Sequence, residues 1–273
     1  MSREELVVKI LSGRKGSNPG GFCSYNDGKT AFEGYLKYCV GSRIPNGHSH
    51  LIPEHQPVYE AITFELARRL GLSTPSFFVL LNKNGNVKFE DSNNFSNHKH
   101  SGRNYYFFSK RIYEPRVLGL NEIGNEIIDR ERVYLDSLMI SDILGKRQNY
   151  MILPKNNGFG VFYVDLGCSF VHATDGFIRL PNELKKYSRS CSKKKDKCNL
   201  KNKTVVGADD TLLVNLEELV YAFEGLTVPT LNPLSRIPIS SLISANEISE
   251  IDDYVVHGLC KSLHEYKEKD LLI

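Results

Sequence analysis

The most informative segment of this chain is LGKRQNYMILPKNNGFGVFYVDLGCSF, from Leu144 to Phe170. Asn149 stands at the start of a short apolar strand, a turn containing Pro, Asn and Gly follows, and a second apolar strand ends at Asp165. Because a hairpin brings the start of its first strand next to the end of its second, we expect these two residues to be neighbours. Amide and carboxylate oxygens are ligands that Mg²⁺ accepts, so the segment fits either a metal site or an ordinary hairpin with a polar residue at each end.

A lysine and a glutamate lie upstream of this hairpin. Lys37 is in the middle of GYLKY, within the predicted strand 32–40, and Glu60 is in the first turn of a helix that begins at Pro57 and ends near Leu70. A strand lysine held by a helix glutamate positions the α- and β-phosphates of ATP in protein kinases. The same two residues also fit an exposed lysine and an acid that suits the positive end of a helix.

The predicted elements follow a simple order, with strands first and helices later. Besides those already named, the sequence predicts a strand or short helix in residues 1–13, strands at Phe77–Leu81, Val87–Phe89 and Tyr105–Ser109, and helices at Asp129–Leu144, 214–224 and 246–268. The turn Asn84–Gly85 predicts that the two strands beside it pair as a hairpin. We therefore expect an α+β fold of two lobes, a strand-rich lobe of residues 1–111 and a mostly helical lobe of residues 112–273.

Two further segments connect this pattern to a known family. They are YEAITFELARRLGLSTP, from Tyr59 to Pro75, and YFFSKRI, from Tyr106 to Ile112. In their order and spacing relative to the hairpin, they resemble the bacterial HipA-like kinases and the phosphatidylinositol 3- and 4-kinases, over residues 30–170. The resemblance implies a bilobal protein-kinase-like fold that uses ATP and Mg²⁺ as cofactors and transfers a phosphoryl group.

The resemblance also assigns roles to individual residues. It selects Glu60 rather than Glu65 as the partner of the strand lysine, and it implies that the backbone of the YFFSKRI strand meets adenine. The residues that would surround the nucleotide are Lys37 and Glu60 at the phosphates, Phe108 and Lys110 at the adenine, and Asn149 and Asp165 at the metal.

The chain departs from this family at the catalytic base. Such kinases place an Asp five residues before the metal-binding Asn, a position that Leu144 occupies here. Asp142 is the candidate replacement, and Lys146 and Arg147 either stabilise the transferring phosphoryl group or form a solvated basic turn. Three outcomes stay open: a kinase with Asp142 as base, a weak kinase in which Gln148 only orients the acceptor, or a nucleotide-binding pseudokinase that serves as a scaffold. A kinase fold that transfers AMP is a further alternative.

The segment from Gly13 to Gly21 is rich in glycine. Its backbone N–H groups, with Ser17 and Gly20 as the candidates, would cover nucleotide phosphates. It lacks the Gly-Lys-Ser/Thr of a Walker motif, and it equally fits an ordinary loop.

Nine of the residues from Lys185 to Lys203 are basic. This run follows Asp-Leu-Gly, where kinases have their activation and substrate loop. It indicates either an anionic activator or substrate, such as an inositol phosphate or a lipid head group, or a solvated run of charge. The expected acceptor is therefore a protein hydroxyl or an anionic head group. Because the net charge is only +3, we do not expect a nucleic-acid partner.

The composition of the 273 residues is that of an ordinary globular protein. Six scattered cysteines, no secretory signal and no apolar stretch of transmembrane length predict a reduced, intracellular protein. The absence of Trp and the resemblance favour a bacterial cytoplasmic protein or an effector delivered into a host cell. We expect no zinc at Cys191 and Cys198, because their spacing is not that of a zinc knuckle. A zinc triad of His48, His50 and His55 is conceivable, but histidines in a loop are usually only solvated, so we expect none there either.

Overall fold

The computed structural model describes residues 6–13, 19–26, 31–39, 49–82, 85–95, 102–113, 121–140, 143, 149–156, 158–167, 169, 204–206, 213–223, 225–231 and 234–268. In these ranges the chain forms twelve β-strands and five α-helices, which confirms the expected α+β class.

The strands are numbered along the chain. They are β1 (Leu6–Ile10), β2 (Gly20–Asn26), β3 (Ala31–Lys37), β4 (Phe77–Leu81), β5 (Val87–Glu90), β6 (Tyr105–Lys110), β7 (Tyr150–Lys155), β8 (Gly158–Tyr163), β9 (Thr204–Val206), β10 (Leu213–Asn215), β11 (Thr227–Leu231) and β12 (Leu234–Pro238). Eight of them form one sheet in the order β12–β11–β4–β6–β3–β2–β1–β5, and β7–β8 and β9–β10 form two separate antiparallel pairs.

The large sheet is curled. Strands β5 and β6 are four positions apart in the sheet order, which would separate them by about 19 Å in a flat sheet at the usual strand spacing. The ring centroids of Phe89 on β5 and Tyr106 on β6 are nevertheless only 4.9 Å apart. The sheet therefore curves back on itself, and a small core that includes Tyr25, Leu36 and Phe108 fills the inside of the curl.

The other face of the sheet carries helix α1 (Gln56–Arg69), which packs against β4 and β6. Every residue from Gln56 to Ala67 is buried, because α1 is also covered by a later helix and by β11. The helix ends at Arg69, near the predicted end at Leu70, and Gly71 follows with a φ of +83° that suits glycine. The N–H groups of Gly71 and Leu72 donate to the carbonyls of Arg68 and Ala67, the pattern of a Schellman motif.

The other helices are α2 (Asn121–Arg130), α3 (Arg132–Ser137), α4 (Leu216–Phe223) and α5 (Ala245–Glu268). The last two lie where the sequence predicts helices. Among the helices in the described ranges, none combines the length and the apolar character needed to cross a bilayer.

The prediction of one long helix from Asp129 to Leu144 is wrong. The helical segment is divided at Glu131, and α3 stops at Ser137, where Met139 takes a left-handed φ of +52° and the N–H of Ile140 donates to the carbonyl of Leu135. The physical reason lies in α5: a side chain at Gly258 would overlap the carbonyl oxygen of Ser137, so the two helices pass very close to each other at this point. The apolar periodicity on which the prediction relied does not reveal that contact.

The hairpin predicted around Asn84–Gly85 is also wrong. Strand β5 pairs in parallel with β1, and the neighbours of β4 are β6 and β11. Both edges of β4 are thus occupied, one of them by a strand that follows it by about 150 residues. The hairpin β11–β12, which the sequence analysis missed, joins the sheet formed by the N-terminal strands.

Candidate functional site

Lys37 is the centre of the site. Its neighbours Leu36 and Tyr38 point into the core inside the curl, so the lysine points to the opposite face, towards α1. Its side chain is 9 % exposed, and its Nζ lies 2.6 Å from Glu60 Oε1 and 2.9 Å from Asp165 Oδ1. Burial by itself would lower the pKa of the Lys37 amine, but the two carboxylates outweigh burial and raise the pKa, so the amine is charged.

Glu60 reaches Lys37 from the second turn of α1, because the helix begins at Gln56, one residue earlier than predicted. Gln56 donates from its Nε2 to Glu60 Oε2 at 3.2 Å. Burial raises the pKa of the Glu60 carboxyl to about 7, since the attraction of Lys37 offsets only part of the cost of removing the charge from water. The alternative of an exposed lysine and a helix-dipole acid is therefore wrong, because both side chains are buried and paired.

The hairpin β7–β8 places Asp165 beside Asn149. The carbonyl oxygen of Asn149 accepts the N–H groups of Val164 and Asp165 at 2.9 and 3.3 Å. Asn149 is 2 % exposed, whereas the Asp165 side chain is 39 % exposed. The predicted proximity of the two residues is confirmed, and their role as metal ligands stays a prediction.

Gly167, two residues after Asp165, packs against both carboxylates. Its N–H donates to Asp165 Oδ1 at 3.1 Å. A Cβ atom at this position would lie 3.2 Å from Asp165 Oδ1 and 3.5 Å from Glu60 Oε2, so a larger residue would crowd the ion pairs. Next along the chain, the hydroxyl of Ser169 lies 2.6 Å from that of Thr63 on α1, and both residues are buried. The segment after Asp165 is thus attached to the helix that carries Glu60.

Two residues near Lys37, Asn149 and Asp165, are the candidates that could hold a magnesium ion. Asn149 and Asp165 carry the oxygen atoms that Mg²⁺ prefers, and the exposed part of the Asp165 carboxylate is accessible from solvent. In the part of the chain that the structure describes, no group of three or more His, Cys, Asp or Glu side chains could hold a metal. An ion at this site would therefore take further oxygen ligands from water or from a bound phosphate, as Mg²⁺ usually does.

Gly20 lies directly across from Lys37 in the β2–β3 ladder. Its φ is +142°, and a Cβ atom there would overlap the carbonyl oxygen of Leu36. Only glycine lets β2 approach β3 this closely beside Lys37. The structure thus gives Gly20 a steric role at the site, and its predicted contact with phosphates stays a prediction.

A cavity of about 350 Å³ opens at the ends of β1 and β2, lined by Leu11, Ser12, Phe22, Cys23, Glu33 and Arg111. Arg111 Nη1 pairs with Glu33 Oε2 at 2.7 Å. The rings of Phe22 and Tyr35 meet edge to face at 5.3 Å. Because side chains alternate along a strand, Glu33 and Tyr35 point to the same face of the sheet as Lys37. The cavity and the lysine therefore share that face.

The structure does not bring the Phe108 side chain to this site. The ring stacks on Phe78 at 4.6 Å inside the curl, on the face of the sheet opposite Lys37. The backbone of Phe108 lies between β3 and β4, opposite Leu36 and Phe78. Lys110 ends β6 with an exposed side chain, and its N–H donates to Ser76.

Five predicted site residues or regions lie outside the described residues: Ser17, Asp142, Lys146, Arg147 and the basic run 185–203. The same holds for His48, Cys191 and Cys198. His55, also considered as a zinc ligand, instead lies with its Nδ1 2.7 Å from Glu247 Oε1.

Sequence reasoning missed several residues beside Lys37. Phe107, not Phe108, faces the lysine, with its ring centroid 5.9 Å from the Nζ atom. The alternation of side chains along β6 could have separated the two phenylalanines, once the register with β3 was known. Gln56 carries no signal in the sequence, since a glutamine at the start of a helix is ordinary.

No protein-family model matches the chain, and no curated protein sequence matches it significantly. Inferences about its function therefore rest on the residues and their geometry.

Proposed function

We propose that the chain is an ATP- and Mg²⁺-dependent phosphotransferase of the HipA-like or phosphatidylinositol-kinase-like type. The observation that carries this proposal is that Lys37 pairs with both Glu60 and Asp165. The lysine lies on a strand, Glu60 lies on a helix, and Asp165 lies at the end of a hairpin. A strand lysine paired with a helix glutamate, beside a metal-binding aspartate, is the arrangement that kinases need for activity.

The charges of Lys37, Glu60 and Asp165 support a site for a metal and phosphates. Above pH 7, where the raised pKa of Glu60 leaves its carboxyl ionised, Lys37 and the two carboxylates sum to −1, which by itself repels a nucleotide. One divalent cation beside Asp165 would change the sum to +1, which attracts phosphate oxygens. Because Glu60 is buried and Asp165 is partly exposed, Glu60 is suited to hold the lysine and Asp165 to meet the incoming ligands.

In the proposed transfer, the acceptor hydroxyl oxygen forms a bond to the γ-phosphorus, the bond from that phosphorus to the bridging oxygen breaks, and ADP leaves. The hydroxyl proton passes to a base, for which Asp142 is the candidate. Lys37 would neutralise charge on the α- and β-phosphates. The acceptor is a hydroxyl of a protein or of an anionic head group.

The cavity on the Lys37 face of the sheet is the proposed position of the nucleotide base. Glu33 in its lining lies four residues before Lys37 along the chain, about 13 Å at the usual rise of a strand. Leu11 and Phe22 offer apolar surface, and Glu33 and Arg111 offer polar groups at one side. This mixture of apolar walls and a few polar groups is typical of small-ligand sites.

A second candidate is a nucleotide-binding pseudokinase. The observation that favours it is Leu144, which stands where such kinases have their catalytic Asp. Both candidates require ATP and Mg²⁺ to bind at Lys37, and they differ only in turnover.

Thermal unfolding with ATP, in the presence of Mg²⁺ or of EDTA, tests the shared part of the two proposals. At ATP a hundred times its dissociation constant, we expect the midpoint to rise by roughly 5 to 10 °C with Mg²⁺. Lys37→Met and Asp165→Ala should lose this shift. Asp129→Ala, which removes a carboxylate that is 68 % exposed, is the matched control and should keep it.

Transfer is then measured with ATP labelled at the γ-phosphate, and mass spectrometry of the product distinguishes phosphate from AMP. Label transferred equally by wild type and Asp165→Ala would contradict the site. Binding without transfer supports the pseudokinase, and a wild-type protein that fails to bind ATP with Mg²⁺ refutes both candidates.

A further inference from the structure

The start of α1 is held by the start of α5. Glu247, in the first turn of α5, has a side chain that is 1 % exposed. Its Oε1 accepts a hydrogen bond from the Tyr59 hydroxyl at 2.5 Å and lies 2.7 Å from His55 Nδ1. His55 and Tyr59 belong to the beginning of α1, so one buried carboxylate joins two helices that are about 190 residues apart in sequence.

The position of Glu247 is itself fixed by its own helix. Its Oε2 accepts the N–H and the hydroxyl of Ser244 at 2.9 and 2.8 Å, and the Ser244 hydroxyl accepts the N–H of Glu247 at 3.3 Å. These contacts form a capping box, in which the two residues satisfy each other at a helix start. Burial by itself would raise the pKa of Glu247, but the hydrogen bonds from His55, Tyr59 and Ser244 outweigh it and lower the pKa to about 2. The side chain is therefore a rigidly held carboxylate at neutral pH.

A second contact strengthens the junction. Glu250, one turn later on α5, accepts hydrogen bonds from the Ser49 hydroxyl and the His50 N–H, both at 2.7 Å. The N–H of Ile52 donates to the Tyr59 hydroxyl at 2.9 Å. The loop that leads into α1 is thus attached to α5 at several points.

We propose that Glu247 is a positioning residue that fixes α1 where Glu60 can reach Lys37. Tyr59 and Glu60 are consecutive residues of one helix, so they differ by a rise of about 1.5 Å and a rotation of about 100°. A shift or rotation of α1 that moves Tyr59 away from Glu247 must also move Glu60 away from Lys37. The importance of this coupling for nucleotide binding rests on the proposed function, whereas the coupling itself does not.

The reactivity of Lys37 tests the proposal without any nucleotide. A buried, ion-paired amine reacts with an amine-directed reagent only when the site opens. Glu247→Gln keeps the size of the side chain and removes its charge. Hydrogen bonds to a charged group are the stronger kind, so the contacts with Tyr59 and His55 become weaker. We expect the modification rate of Lys37, followed by peptide mass spectrometry, to rise about tenfold.

Ser262→Ala is the matched control. Ser262 lies on the same helix and is buried, but its hydroxyl contacts Ser137 and Gly258 rather than α1. The two variants are compared at temperatures equally far below their unfolding midpoints. Faster modification in Glu247→Gln alone supports positioning. An equal increase in both variants, or none in either, overturns it, because Glu247 then only stabilises the fold or does not act on the site.

Tyr59→Phe serves as a second variant, because it removes the same hydrogen bond from the side of α1 and keeps the ring. It should also raise the modification rate of Lys37, and an unchanged rate counts against the proposal.

ATP binding is measured separately on these proteins. A wild type that does not bind ATP with Mg²⁺ refutes the proposed function and leaves the coupling intact. Equal ATP binding and equal Lys37 reactivity in wild type and Glu247→Gln refute the coupling and leave the proposed function intact.

Discussion

The stability of this protein should fall as the pH rises from 5 to 8, because of Glu60. The pKa of this carboxyl is raised from 4.5 to about 7 by burial, with Lys37 offsetting only part of the shift. Below pH 4.5 the carboxyl holds a proton in both states. Between pH 4.5 and 7 the folded state keeps a proton that the unfolded state has released, so stability falls as the pH increases. Above pH 7 the carboxyl is ionised in both states and the loss is complete.

The magnitude follows from the size of the shift. Each pKa unit corresponds to about 1.4 kcal/mol, so the raised pKa of Glu60 amounts to a loss on the order of 3 kcal/mol. About 2 to 3 kcal/mol of this loss in the free energy of unfolding falls between pH 5 and 8. Lys37 does not contribute a change in this window, because its pKa is raised and its amine stays charged.

Urea unfolding of wild type and Glu60→Gln at several pH values isolates this effect, since the two proteins share every other titrating group. We expect the free energy of unfolding of wild type, relative to the variant, to decrease by about 2 to 3 kcal/mol from pH 5 to 8. A difference that stays constant, or that grows as the pH rises, would contradict a raised pKa of Glu60. It would mean that the attraction of Lys37, rather than burial, governs Glu60.

Two further predictions concern the scaffold around the site. Gly20→Ala should lower the free energy of unfolding by about 2 to 4 kcal/mol, because the new Cβ would overlap the Leu36 carbonyl. Gly85→Ala is the control and should lower it by only about 1 kcal/mol, because Gly85 has a φ of +64° but open space around it. Equal losses in urea unfolding would contradict this prediction. Arg236→Met should cost about 2 kcal/mol, since it leaves the buried Glu65 carboxylate without the guanidinium that lies 2.8 Å away. The double variant with Glu65→Met should regain most of that loss, and a purely additive loss would show that the pair is not coupled.

The elements that the sequence predicts correctly are those with a local cause. The alternating residues of β3, the proline near the start of α1 and the glycine after its end all act within a few residues of the structure that they determine. The proximity of Asn149 and Asp165 belongs to the same class, because a hairpin brings its own ends together. The candidate pair was therefore visible in the sequence.

The errors have a different cause, namely contacts between distant segments. Strand β5 follows a turn that favours a hairpin, but the edge of β4 is taken by β11. The helix predicted to Leu144 ends at Ser137, where α5 passes close to its last carbonyl. The local sequence pattern around β5 does not show that β11 occupies the edge of β4. The pattern of the helix that ends at Ser137 likewise does not show the contact with α5.

The amino-acid sequence alone predicts the α+β class, the main strands and helices, and the residue types available for a metal and phosphate site. The meeting of Lys37 with both Glu60 and Asp165 depends on tertiary packing, since these residues are 23 and 128 positions away from it along the chain. The same packing places Glu247 against His55 and Tyr59, at the start of the helix that carries Glu60. The physical reason is that burial and charge pairing depend on which surfaces meet, and periodicity within one segment carries no information about the segment that will cover it.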